Sequence, residues 1–220
     1  MILDFIRKKL EQHKADAYVL LNHEASGQPD TAYVAGFTGS ESVIVVTEGN
    51  QYIFVDGRYF TRSRQESPGF EMKEATRGRV YDNLGSFLPD LGVRSVLLDP
   101  NITSYNSILL MEEKLKGIDI KTQSALLHEM RMIKTPDEIE KLKAAGSVAC
   151  AAFNQLITEI KPGMTERAIA GRLEYLMKEK GGDRYSFDSI VASGVQGAFP
   201  HYTPSSKEIA EGELVTIDWG

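Results

Sequence analysis

Four five-residue runs, at 17–21 (AYVLL), 43–47 (VIVVT), 51–55 (QYIFV) and 95–99 (SVLLD), constrain this chain more than any other feature. Each is too short for a core helix and rich in β-forming or apolar residues, so each predicts a strand. The near-unbroken apolar character of the first and last points to strands covered on both faces. Glu48-Gly49-Asn50 joins the second run to the third and predicts a hairpin. Between the runs the spacing turns helical. Ile2, Phe5, Ile6 and Leu10 share one side of an N-terminal helix whose other side carries Arg7, Lys8, Lys9 and Glu11. Further helices are expected at 58–66, 80–88 and 104–115, and weaker strands at 70–75 and 118–122. Strands and helices alternate to about residue 125. That alternation predicts an α/β domain on a mostly buried mixed sheet.

The texture changes near residue 126. Thr135-Pro136-Asp137-Glu138 has the form of a capping box, with proline at the first helical position. A long helix follows to about residue 160, with Ile139, Leu142, Ala145, Ala149, Ala152, Phe153, Leu156 and Ile160 as its apolar stripe. Lys161-Pro162-Gly163 breaks it. Thr165 then caps a second helix, 166–180, which Gly181-Gly182 ends. Strands are expected at 189–193 and 214–218. The domain boundary is therefore expected between 125 and 130, giving domains 1–127 and 128–220.

Composition narrows the function classes. Apolar residues are 42% and charged residues 25% of 220, which suits a globular protein. A net charge of −6 argues against non-specific binding to nucleic acid or an anionic membrane. A single cysteine, Cys150, excludes an internal disulfide and any cysteine-based zinc site. The N-terminus has no apolar h-region, and no stretch approaches 18 uncharged apolar residues. A cytoplasmic location is the expectation.

Few residues offer chemistry. His13 lies on the polar side of a helix, His23 in a polar loop and His128 in a linker. His201 differs, because Gly194 and Gly197 precede it and Pro200 and Pro204 flank it. It sits in a constrained loop that leaves one strand and returns to the next, where functional side chains concentrate. Asp218 follows the apolar strand residues Val215-Thr216-Ile217. A carboxylate beside a core needs a cation, hydrogen bonds or a metal. Asp56-Gly57-Arg58-Tyr59 reads as a tight turn after a strand. Gly36 and Gly39 match neither phosphate-loop pattern. The chain ends at Asp218-Trp219-Gly220, directly after a core strand, so it is expected to be cut from a longer protein.

Together these pieces resemble the Xaa-Pro aminopeptidase, prolidase and creatinase family, the pita-bread metallopeptidases. The first block is Tyr33-Val34-Ala35-Gly36-Phe37-Thr38-Gly39-Ser40, the hairpin, and Val55-Asp56-Gly57-Arg58-Tyr59-Phe60. It looks like the creatinase-type N-terminal domain. The second runs from Met130-Arg131-Met132-Ile133-Lys134 through Thr135-Pro136-Asp137-Glu138-Ile139 and Lys161-Pro162-Gly163-Met164-Thr165-Glu166. Phe187 to Gly194, Pro200-His201-Tyr202 and Ile217-Asp218-Trp219-Gly220 complete it. These are similar to the opening part of a pita-bread α+β catalytic domain.

The resemblance implies a fragment of an Xaa-Pro aminopeptidase. The full-length form would remove the N-terminal residue from peptides with proline second. It implies that His201 is catalytic, hydrogen-bonding the substrate and the reaction intermediate. It implies that Asp218 is the first aspartate ligand of two divalent metal ions, manganese or cobalt. The family's other ligands, a second aspartate, a histidine and two glutamates, would lie beyond Gly220. This chain alone is therefore expected to bind no metal and to be inactive. A homodimer is implied, with no nucleic acid or membrane partner. The alternatives are a non-catalytic dimerisation or scaffold chain and a creatinase-like metal-free hydrolase. Aspartate at 218 disfavours the last.

Overall fold

Period-two alternation in the central strands divides the first half of the protein into two cores. The structure is a computed structural model and describes residues 1–24 and 29–220. Strand β1 (Ala17–Asn22) is buried at every position, and β2 (Ser42–Thr47) and β3 (Gln51–Val55) are buried at all but one. Tyr18, Leu20, Ile44, Val46, Ile53 and Val55 face one core. Ala17, Val19, Leu21, Val43, Val45, Tyr52 and Phe54 face the other. Alternation puts successive side chains on opposite faces, so a run buried at every step needs cover on both.

Helices supply that cover. Ile6 and Leu10 of α1 (Ile2–His13) and Val34 of α2 (Pro29–Ala35) pack on the first face. Leu84 and Leu88 of α4 (Val80–Asp90) and Met111 of α5 (Tyr105–Lys114) pack on the second. With β4 (Glu71–Glu74), β5 (Ser95–Leu98) and β6 (Asp119–Thr122), the described residues form a six-stranded sheet ordered β4-β3-β2-β1-β5-β6. The β1–β2 and β2–β3 pairs are antiparallel; β3–β4, β1–β5 and β5–β6 are parallel. The protein is thus mixed α/β.

Several local details depart from the sequence expectation. Helix α3 (Phe60–Glu66) begins two residues later than 58, because Asp56-Gly57-Arg58 is a turn. Asp56 accepts the Arg58 backbone N–H at 2.9 Å and grips its guanidinium. Arg58 also pairs with Glu41 at 2.5 Å and Glu24 at 3.2 Å. Helix α2 falls where the sequence pattern marks no element, and Gly36, directly after its last residue, has φ 75°. A Cβ there would lie 2.7 Å from the Glu66 carbonyl oxygen, so glycine is required. His23 is hydrogen-bonded, 3.2 Å from Tyr81 Oη and 3.3 Å from Ser107 Oγ.

The chain divides into compact units at Met1–Ile133 and Lys134–Gly220, six residues beyond the expected 127/128. Leu126 and Leu127 are buried in the first core, and Arg131 of a short helix, α6 (His128–Met132), pairs with Asp30. Those contacts tie 126–133 to the first unit.

In the second unit, α7 (Pro136–Glu159) starts with the capping box. Thr135 Oγ1 accepts from Glu138 N at 3.3 Å, and Glu138 accepts from Thr135 N at 2.7 Å. Ala152 and Leu156 pack on Ile169, Leu173, Leu176 and Met177 of α8 (Glu166–Glu179) and on Val191 and Ile209. The apolar stripe of α7 is not buried along its length: Ile139 and Leu142 are 42% and 58% exposed. The core of this unit lies against the C-terminal half of the helix. No helix among the described residues is long and apolar enough to cross a membrane.

Candidate functional site

Strands β7 (Ile190–Ser193) and β8 (Val215–Asp218) form an antiparallel ribbon. Ile190 pairs with Asp218 and Ser193 with Val215. Asp218 therefore stands at the opposite end from the connection that carries His201. Three residue steps separate those ends, about 10 Å of strand. Along β8, Val215 and Ile217 pack towards the helices, while Thr216 and Asp218 are exposed. The period of two gives Thr216 and Asp218 one shared outer face.

The start of the connection lies against that face. It opens with a 3-10 helix, Gly194–Ala198. Gly194 has φ 58°, and a Cβ on it would strike the Glu213 carboxylate. At Gly197 a Cβ would lie 3.1 Å from Thr216 Oγ1, so the turn sits directly on the outer side of β8. His201 follows four residues later and is exposed.

A buried carboxylate fixes this connection. Glu166, in the first turn of α8, is fully buried at 0% exposure. Its Oε1 accepts from Ser193 N at 2.8 Å and Ser193 Oγ at 2.7 Å. Its Oε2 accepts from Tyr202 Oη at 2.9 Å, Ser205 N at 3.1 Å and Ser205 Oγ at 2.7 Å. Burial by itself raises the carboxyl pKa. The donors of Ser205 and Ser193 outweigh it and hold Glu166 down to about 2. Lys207 Nζ extends the network, 2.7 Å from Ser193 Oγ and 2.7 Å from Glu213. Backbone bonds Glu166 N to Lys207 O and Arg167 N to Ser205 O lay the end of the connection along the start of α8.

Sequence reasoning singled out His201 and Asp218 and missed Glu166. It reads there as an ordinary acidic residue in a first helical turn. The one linear signal was its place at the end of the Lys161-Pro162-Gly163-Met164-Thr165-Glu166 motif. Its partners lie 27 to 39 residues away, at no recurring spacing.

The chain matches known proteins in both units. Residues 3–133 match the creatinase/prolidase N-terminal domain, and residues 140–220 match metallopeptidase family M24. The chain belongs to the creatinase/prolidase family. It is 31% identical over 188 residues to an uncharacterized peptidase of Bacillus subtilis, covering 86% of this chain and 53% of that protein. It is 34% identical over 180 residues to the Xaa-Pro dipeptidase of Pyrococcus furiosus, covering 78% and 50%. Among solved structures, an X-Pro aminopeptidase of Thermotoga maritima superposes with TM-score 0.88 at 33% identity, covering 96% of this chain and 60% of that one. A Bacillus anthracis Xaa-Pro dipeptidase does so with TM-score 0.91 at 29% identity, covering 100% and 60%. The chain spans about half the length of the curated relatives it matches.

The match of residues 140–220 to metallopeptidase family M24 implies a divalent metal. The residues described here do not fit a metal centre by themselves. Among them, no group of three or more His, Cys, Asp or Glu side chains is placed to hold an ion. A lone exposed carboxylate, Asp218, does not make a hard-oxygen cage. What the described residues do provide is an antiparallel ribbon with one exposed carboxylate on its outer face, a connection whose Gly197 sits against Thr216 of that face, and a tie from that connection to Glu166 next to His201.

Proposed function

We propose that this chain supplies the N-terminal domain and the first part of the catalytic domain of an Xaa-Pro peptidase. The observation that supports the reading is the outer face of β8, on which Asp218 is exposed and against which Gly197, in the connection that also carries His201, is set. The matches of both units to the creatinase/prolidase and M24 models support it. On this reading the first unit is the non-catalytic domain and the second is the start of the pita-bread domain. The full-length protein removes the N-terminal residue from peptides with proline second, as an aminopeptidase, with two divalent ions, manganese or cobalt. Asp218 is one ligand of that centre, and His201 donates a hydrogen bond to the substrate or intermediate. The full-length protein is a cytoplasmic homodimer.

The test compares the 220-residue chain with the full-length protein that contains it. Both receive Mn²⁺, and metal content and release of the first residue from an Xaa-Pro-Xaa tripeptide are measured. The expected result is metal and turnover in the full-length protein and neither in the chain alone. Absence of both from the full-length protein would leave a scaffold role. Turnover without bound metal would favour the creatinase-like hydrolase.

A further inference from the structure

Five donors converge on the Glu166 carboxylate, and all belong to the segment from Ser193 to Ser205. None comes from α8 itself. The helix start is capped separately, by Thr165 Oγ1 accepting from Ala168 N at 3.1 Å. The carboxylate is therefore free of a helix-capping duty and serves the connection. It ties that segment at its first residue, its last residue and one point between. The intermediate point is Tyr202, the residue directly after His201. A tether one residue away limits how far the backbone of an exposed histidine moves.

We propose that Glu166 is a positioning residue: its carboxylate, through Tyr202 and the two flanking serines, holds His201 in the place from which it meets the substrate. The assignment rests on the functional reading above. It makes a chemical demand that packing alone does not. All five contacts are N–H or O–H groups pointing inward, so the group at their centre must be a pure acceptor with two oxygens. Glutamine has nearly the same shape but turns an NH₂ towards donors. Glu166→Gln therefore keeps the volume and breaks the network.

The experiment has two arms. In the 220-residue chain, hydrogen exchange is measured for Glu166→Gln and for the milder Tyr202→Phe, which removes only the phenolic donor. Glu166→Gln is expected to speed exchange across 194–205 by roughly ten- to hundredfold, leaving the amides of α8 unchanged. In the full-length protein, Glu166→Gln is expected to lower kcat roughly ten- to hundredfold with KM for an Xaa-Pro-Xaa peptide within about twofold. Tyr202→Phe is expected to give a smaller loss of the same kind. Both losses are expected to vanish in a His201→Ala background, because a residue acting through His201 has nothing left to act on.

Where Glu166→Gln unfolds the unit, Tyr202→Phe and its pairing with His201→Ala decide the question. Losses that multiply with that of His201→Ala, or unchanged exchange across 194–205, would overturn the Glu166 assignment and leave the functional reading standing. An unmodified full-length protein without turnover on the peptide would overturn the functional reading itself, and the role towards substrate with it.

Discussion

The indole of Trp219 stacks on the ring of Phe153, with centroids 4.3 Å apart and planes 16° from parallel. Trp219 Nε1 also donates to the Ala149 carbonyl at 3.1 Å. Phe153 and Ala149 are neighbours on one face of α7, so the helix clamps the residue that follows Asp218. This fixes the direction in which β8 delivers its carboxylate. Trp219→Leu keeps the site apolar but loses the stack and the hydrogen bond. It is expected to lower stability of the second unit by about 1–2 kcal/mol in urea titration and to speed exchange of the β8 amides. An unchanged midpoint and unchanged exchange would show that the clamp is idle.

Glu166 makes the second unit acid-sensitive within a defined window. Its pKa in the folded chain is about 2, against 4.5 for an ordinary glutamate. The unfolded chain takes up the proton first as pH falls, so the carboxylate's contribution is complete above 4.5 and is lost between 4.5 and about 2. A loss on the order of 1–3 kcal/mol is expected across that window. Unfolding of the wild-type chain at stepped pH, with Glu166→Gln beside it, checks the sign. The variant should show a smaller fall, and an equal fall would assign the effect to other carboxylates.

Gly194 is the backbone hinge at which the connection leaves β7. Alanine there must adopt a φ of 58° and meet the Glu213 carboxylate, which is engaged by Lys207 at 2.7 Å. Gly194→Ala is expected to destabilise the unit by about 1–3 kcal/mol. Denaturant titration reads the loss. A neutral substitution would mean that the turn relaxes freely.

His201 and Asp218 are exposed, so they contribute little to folding. His201→Ala and Asp218→Ala are each expected to change stability of the chain by less than about 0.5 kcal/mol. On the proposed function, their effects are expected in the full-length protein. There Asp218→Ala should abolish metal loading, measured by elemental analysis. His201→Ala should keep the metal and lower kcat by roughly 10²–10³, the usual effect of removing a donor to a developing oxyanion. Metal retained by Asp218→Ala would remove that residue from the ligand set.

In the first unit, Asp16 stitches β1 to β5. One of its oxygens accepts from Arg94 N at 2.8 Å, Ser95 N at 2.8 Å and Ser95 Oγ at 2.9 Å. Asp16→Ala is expected to cost about 1–2 kcal/mol, and Asp16→Asn, which keeps an acceptor, about half of that. Thermal unfolding of the two variants side by side distinguishes them, and equal losses would point to charge rather than to the hydrogen bonds.

What the sequence determined by itself was set by local rules. Five-residue apolar runs have room for strands only, and their burial follows from alternation. Thr135 and Glu138 cap α7 across three residues, within reach of any reader of the chain. Two short motifs, Pro200-His201-Tyr202 and Ile217-Asp218-Trp219-Gly220, singled out His201 and Asp218, both of which are exposed. The tertiary structure decided what depends on partners far apart in the chain. It buried Leu126 and Leu127 in the first core and moved the unit boundary to Ile133/Lys134. It left Ile139 and Leu142 exposed on a helix whose periodicity marks them as core. It set Gly197 on Thr216, and gathered Ser193, Tyr202 and Ser205 around Glu166. Periodicity records which face of an element is apolar. It does not record what comes to rest there, because a buried carboxylate selects its donors by geometry in space, and that geometry exists only once the chain has closed around it.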